Sequence, residues 1–276
     1  KGENGLSNLP KDKDHLYTMI DSSESDFYKV SSLLNRQALY LFVLEDLETQ
    51  ALVGLCGLQA GMGVSKKSYL ITLKKQVCES QGVFGNVTHH RLKLKQVKNG
   101  PSVLISMFID PDYRSLGLGK LCSLGRFLFI KQHPKRFKQS VCAELRGYHH
   151  KNVCPFWEEV LQPFFPMSYE QAISLMRDDT QFIKDFFPKG LILELLPKHI
   201  QALMGQTHPF TKGAKNILLK QGFIVKNQYC LFDLGPFLQA PLKAIDAFKY
   251  SQPFTQNTLD QFGDMSGRFL VSVGKH

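Results

Sequence analysis

Residues 102–120 read SVLISMFIDPDYRSLGLGK, and the fold is decided here. Val103, Ile105, Met107 and Ile109 alternate with Leu104, Ser106 and Phe108, so both faces of the extended chain are largely apolar, as in a strand buried mid-sheet. Asp110-Pro111-Asp112 ends it. Past the glycines, Leu121, Leu124, Phe127, Leu128 and Ile130 recur at mostly helical spacing until Pro134. The segment Arg114-Ser115-Leu116-Gly117-Leu118-Gly119-Lys120 therefore occupies a strand-to-helix turn. A helix N-terminus presents unpaired backbone N–H groups and partial positive charge. Gly117 and Gly119 let that backbone approach an anion closely, and Arg114 and Lys120 add charge. The expectation is a diphosphate cradle at residues 114–120, with a plain tight turn as the alternative. Neither G-x-G-x-x-G nor G-x-x-x-x-G-K-S/T is present, which removes the dinucleotide and P-loop readings.

Working outward, residues 38–44 and 51–60 are apolar runs separated by a polar turn, and they predict a hairpin. Residues 68–74 predict a further strand, while residues 82–99 are too polar for a firm reading. Residues 141–145 predict another short strand. About sixty residues of mixed helical pattern with several prolines follow. Thr211 can then cap a helix running to Lys220, with Gly222 as its stop, and residues 223–234 return as a strand. The pattern A-x-x-x-L-x-x-x-G-F over residues 214–223 closes that helix onto the strand. The chain opens on Lys1, from which a truncation is expected, and the tail after Ser251 is polar.

Hydrophobic residues at 43% and charged residues at 21% exclude a disordered chain. No apolar run approaches the roughly 20 residues of a membrane span. The net charge of +10 comes from scattered Lys and Arg without an aromatic-interleaved stripe, so a basic solvated surface is preferred over a nucleic-acid footprint. Six cysteines with no CxxC pair read as reduced, mostly buried thiols of a cytoplasmic protein. Cys122 lies just inside the cradle helix and reads as a small buried hydrophobe. The pairs His89-His90 and His149-His150 lack accompanying ligand clusters and read as surface histidines, so no metal is expected.

The cradle followed by residues 214–223 resembles the GNAT superfamily of acyl-CoA N-acyltransferases, and it implies an α/β (α+β) fold with a mixed, mostly antiparallel sheet flanked by helices. One domain over 1–250 is expected, with a large insertion at about 146–207 and a C-terminal extension over 251–276. A closer resemblance, to the arginine N-succinyltransferase family, runs in order through several segments. They are Gly5-Leu6-Ser7-Asn8-Leu9-Pro10, Phe42-Val43-Leu44-Glu45-Asp46 and Phe108-Ile109-Asp110-Pro111-Asp112-Tyr113-Arg114. Arg126-Phe127-Leu128-Phe129-Ile130, Ala143-Glu144-Leu145-Arg146-Gly147 and Pro155-Phe156-Trp157 continue the series. Gly205-Gln206-Thr207-His208-Pro209 and Phe232-Asp233-Leu234-Gly235-Pro236 complete it. Gly190, Leu234 and the segment after Gly235 depart from the family pattern, as does the lack of an opening strand and helix before Gly5.

The resemblance implies transfer of succinyl from succinyl-CoA to the α-amino group of L-arginine, with His208 as proton donor and Leu104 contacting succinyl-CoA. Read without it, a histidine before Pro209 is more often structural. An imidazole of pKa about 6.5 nevertheless suits the proton transfers of aminolysis. Glu144 could hold a substrate guanidinium or pair with Arg146, and Asp233 reads as a turn residue. Succinyl-CoA enters as co-substrate, with no permanently bound cofactor. Small-molecule partners are expected, with neither nucleic acid nor membrane, and a homo-oligomer or an assembly with a related subunit. Other acceptors such as ornithine stay open, as does a non-catalytic acyl-CoA-binding or nucleic-acid-binding module.

Overall fold

The computed structural model describes residues 12–29, 38–64, 66–79, 85–114 and 116–253. The segment at residues 5–10, Ser115 and most of the polar tail lie outside these. A nine-stranded sheet has the order β1-β2-β5-β6-β9-β8-β3-β4-β7. Its strands are β1 (Leu39–Glu45), β2 (Leu52–Gln59), β3 (Ser68–Cys78), β4 (Val87–Val97), β5 (Ser102–Ile109), β6 (Ser140–Glu144), β7 (Leu191–Ile192), β8 (Ile224–Tyr229) and β9 (Pro236–Pro241). The helices are α1 (Lys13–Tyr28), α2 (Leu118–Gln132), α3 (Tyr169–Asp178), α4 (Gln181–Phe186), α5 (Lys198–Leu203), α6 (Lys212–Lys220) and α7 (Asp246–Lys249). Every pairing is antiparallel except β5 with β6. The sheet is thus mixed and mostly antiparallel, as the GNAT-like reading expected.

The predicted first hairpin forms, in register from Leu39 opposite Gln59. Its turn is built by Asp46, whose carboxylate accepts from the Glu48 and Thr49 amides. The predicted strand at residues 68–74 continues to Cys78, and the uncertain polar stretch supplies its partner, with Ser68 opposite Val97 and Cys78 opposite Val87. The far half of this ribbon is exposed on both faces, so it has no apolar alternation to be read. Helix α1 had no sequence signal either. It is held to the β1 edge by polar side chains: Ser23 Oγ accepts from the Leu41 amide and Asp26 Oδ2 from the Leu39 amide. These bonds satisfy edge-strand N–H groups that would otherwise be open to pairing with another chain.

The strand expected over residues 223–234 needs correction. It ends at Tyr229, and residues 230–235 turn back into β9. The Cys230 amide donates to the Gly235 carbonyl at 2.8 Å, Asp233 Oδ1 accepts from the Gly235 amide, and Leu234 takes a φ of +55°. Asp233 is therefore a turn residue, as expected, rather than the end of a strand.

Two large cores and a smaller one around Leu70, Val103 and Phe237 form on this frame. One gathers Leu58, Phe127, Ile130, Val141, Leu218 and Leu238 between α2, α6 and the sheet. The other belongs to the long segment between β6 and α6. Trp157, Phe165, Ile183 and Ile200 pack there against Ile71 and Leu92 of the β3–β4 ribbon and against Phe232.

Candidate functional site

Strands β5 and β6 pair only through Ser102–Val141, Val103–Cys142 and Leu104–Ala143, then diverge. On its other side β5 carries a bulge. Leu55 faces Phe108 and Gly57 faces Ile105, so Ser106 and Met107 together oppose Cys56. Ser106 has a φ of +51°, outside the ordinary strand region. A cavity of about 110 Å³ opens in the divergence, lined by Leu104, Ser106, Arg126, Glu144, Arg146 and Thr211 among others. Leu104 thus sits at the last paired rung, where the strands begin to part. A ligand chain can enter between strands only where the backbone ladder is open.

Gly117 is the N-cap of α2 with a φ of +81°, and a Cβ there would meet no other atom, so the turn is open on the side where an anion would lie. Leu118 and Gly119 form the first turn, with Lys120 exposed beside them. Arg114 Nε donates to the Ile109 carbonyl at 3.1 Å, and its guanidinium lies 5.9 Å from the centre of the Phe210 ring. The Phe210 ring in turn lies 5.1 Å from that of His208. One exposed phenylalanine therefore links Arg114 to an imidazole 94 positions further along the chain (208 minus 114). We expect Arg114→Ala to weaken binding of a diphosphate-bearing ligand by about tenfold or more, as loss of a charge-assisted contact does. Titration calorimetry with coenzyme A measures this; unchanged affinity would take Arg114 out of the cradle.

His208 is anchored by its backbone. Its amide donates to the Arg146 carbonyl at 2.9 Å, Thr211 Oγ1 donates to the His208 carbonyl at 2.9 Å, and Gly147 bridges Thr207. Thr211 begins the expected helix, but its hydroxyl is spent on these carbonyls rather than on capping. The Phe210 amide donates to His208 Nδ1 at 3.2 Å. An N–H needs a lone pair to point at, so Nδ1 is the acceptor and a neutral ring carries its proton on Nε2.

Glu144 ends β6 with its side chain open to the cavity, whose walls crowd it. That crowding displaces solvent, and with Asp233 nearby it lifts the carboxyl to about 7, against a weaker pull from the Cys230 thiol. No ion pair joins Glu144 to Arg146 among the described residues, so the salt-bridge alternative is not realised. Asp233 instead accepts from the amides of Gly147 and Gly235, locking the end of β6 to the β8–β9 turn. A Cβ at Gly147 would collide with the Asp233 carbonyl, so this approach needs glycine.

His149 corrects the sequence reading, being 5% exposed rather than on the surface. Its Nδ1 lies 3.0 Å from the Gly147 carbonyl, and its ring lies edge-on to His208 at 5.9 Å and to Tyr169 at 5.2 Å. Burial pushes its pKa down and keeps the ring neutral. The adjacent histidine at 150 hid this, since a strand would face the two oppositely, whereas here a tight bridge between His150 and Val153 turns the chain. Cys122 also departs from expectation: it is half-buried, and a hydrogen bond from Cys56 together with Arg126 lowers its thiol to about 7. No described cysteine is in a disulfide, and Cys78 is exposed. Among the described residues no helix is long and apolar enough to cross a membrane.

The model of the family described as arginine N-succinyltransferase beta subunit matches residues 1–247. A protein named arginine N-succinyltransferase from Enterobacter sp. (strain 638) is 32% identical over 254 residues, 91% of this chain and 73% of the relative. Its namesake from Yersinia pseudotuberculosis serotype O:3 is 32% identical over 280 residues, 99% of this chain and 79% of the relative. Among solved structures, arginine/ornithine succinyltransferase subunit AI from Pseudomonas aeruginosa superposes with a TM-score of 0.79 at 30% identity, covering 90% of this chain and 73% of that one.

Proposed function

Since the chain belongs to the arginine N-succinyltransferase family, we propose that it joins the succinyl group of succinyl-CoA to the α-amino group of L-arginine at the β5–β6 divergence. The observation that carries this placement is the adjacency of three parts. The guanidinium of Arg114 and the ring of His208 flank Phe210, and His208 is bonded through its backbone to Arg146 and Thr211, which line the cavity between the parting strands.

The diphosphate rests on the amides at Gly117, Leu118 and Gly119 with Arg114 and Lys120 beside it, and the pantetheine arm passes Leu104 into the cavity. The neutral α-amine attacks the thioester carbonyl directly in a ternary complex, forming the C–N bond. As the C–S bond breaks, the thiolate takes the Nε2 proton of His208, and the attacking nitrogen gives its surplus proton to Nε2, so the ring ends neutral and the thiol and amide leave uncharged. No covalent acyl-enzyme is required. Glu144, across the cavity, offers its carboxylate to the guanidinium. Activity with succinyl-CoA and arginine, followed by thiol release, tests the reading, with acetyl-CoA and ornithine as controls. The name of the Pseudomonas neighbour keeps ornithine in view as a second acceptor. The word "subunit" in the neighbour's name and in the family description supports assembly with a like or related chain, and a metabolic enzyme of this kind is read as cytoplasmic.

The Glu144 carboxyl, raised to about 7, sets a pH signature. Its pKa lies above the ordinary carboxylate value, so the anion is depleted below pH 7 and present above it. We expect kcat/KM for arginine to rise through about pH 7 and then level off, and Glu144→Gln to abolish that limb while lowering kcat/KM at pH 8. A profile shared by wild type and variant assigns the limb to another group.

A further inference from the structure

Arg126 lies in the middle of α2 and is only 3% exposed. A guanidinium that far from water is strongly unfavourable unless an anion compensates it. No carboxylate does among the described residues: the only ionisable groups acting on it are the Cys56 thiol and the Cys122 thiol, which is anionic only in part. Its contacts are neutral and long. Nη1 donates to the Gly57 carbonyl at 3.4 Å, and Nη2 approaches the Ser123 hydroxyl at 3.4 Å and the Met107 thioether at 3.7 Å. Nε is buried with no partner. The same side chain lines the cavity between β5 and β6. So does the Ser106 hydroxyl, likewise buried and unpartnered at the bulge.

Packing alone does not account for this. A buried leucine or methionine in that position would fill the space without the desolvation penalty, and buried ion pairs are themselves often replaceable by apolar groups. An unpaired cation and an unpaired hydroxyl facing one small cavity describe half of an anion site whose other half arrives with a ligand. The cavity's two walls also differ in sign. Arg126 is on the α2–β5 side, on the helix whose first turn holds the coenzyme, while Glu144 is on the β6 side. An anion tethered to the coenzyme suits the first wall, and a cationic amino acid the second.

We propose that Arg126, assisted by Ser106, receives the free carboxylate of the succinyl group and thereby selects succinyl-CoA over uncharged acyl donors. This rests on the succinyl-transfer reading above and adds to it the residue that decides the donor. Butyryl-CoA is the discriminating probe, since it has the same chain length with a methyl in place of the carboxylate. A planar guanidinium suits such a carboxylate because it can donate two parallel N–H bonds.

The test is kcat/KM for succinyl-CoA and for butyryl-CoA in wild type, Arg126→Met and Arg126→Gln, with arginine and its decarboxylated analogue agmatine as acceptors. Wild type turning over succinyl-CoA upholds the underlying activity independently of the variants. In both variants we expect kcat/KM for succinyl-CoA to fall by at least about 30-fold, as when one partner of a buried charge pair is lost. Butyryl-CoA should hold or improve, so that the donor ratio collapses. Should Arg126→Met fail to fold, Arg126→Gln reads the same ratio while keeping a hydrogen-bonding head. Equal losses with both donors would reduce Arg126 to a packing role and overturn the proposal. A changed arginine-to-agmatine ratio with donor preference intact also overturns it, by assigning the guanidinium to the acceptor's carboxylate.

Discussion

His208→Ala is expected to lower kcat by about 10²- to 10⁴-fold, the usual contribution of a positioned acid–base group, with succinyl-CoA affinity nearly unchanged. The split follows from the geometry. The proposed coenzyme contacts, the α2 N-terminus and Arg114, are left in place by the substitution, whereas the Nε2 proton has no substitute of the same reach. The ring's tautomer is set by the Phe210 amide donating to Nδ1, and its position by backbone bonds to Arg146 and Thr211. These backbone bonds survive truncation at Cβ, so the variant should fold. Stopped-flow thiol release and calorimetry with succinyl-CoA on the same preparation measure both quantities. A kcat within a few-fold of wild type would exclude His208 from proton transfer. His149 packs edge-on against His208 as a neutral buried ring, and its place is support rather than chemistry.

Trp157→Ala is expected to destabilise the protein by about 3–5 kcal/mol, the range for emptying a buried aromatic site. Trp157 is 0% exposed and contacts Phe165 at 5.2 Å, Phe232 at 5.0 Å and Tyr169 at 5.9 Å between ring centres. It is the centre of the core that ties residues 155–200 to the β3–β4 ribbon. The effect should extend to the site, because Phe232 leads into the turn where Asp233 grips Gly147, and Tyr169 backs His149. Urea unfolding gives the stability change. The KM for arginine should rise in the folded variant while coenzyme affinity holds, since the cradle belongs to the other core. A loss under about 1 kcal/mol would mean that the segment folds around other contacts.

Local pattern was enough for some of this. The apolar run at residues 102–109, the glycines at 117 and 119 and the helical spacing that follows each depend on neighbours in sequence. Strand, turn and helix were therefore legible. The first hairpin and the α6–β8 closure were legible for the same reason. Where the polar ribbon, α1 and β9 are concerned, stability comes from partners elsewhere in the chain. Ser23 and Asp26 bonding to the β1 edge, or Pro236–Pro241 seated between β6 and β8, leave no periodic trace.

The chain's own order of residues determined that a glycine-bearing strand–turn–helix exists and to which family its motifs belong. Tertiary structure alone decided that β5 and β6 part at Leu104, that Phe210 brings Arg114 to His208, and that Glu144 and Arg126 face one cavity. It also decided the ionisation of those groups. A carboxyl lifted to about 7 and a guanidinium with no carboxylate beside it are consequences of displaced water and of distances to groups far away in sequence. Such distances do not exist until the strands have met.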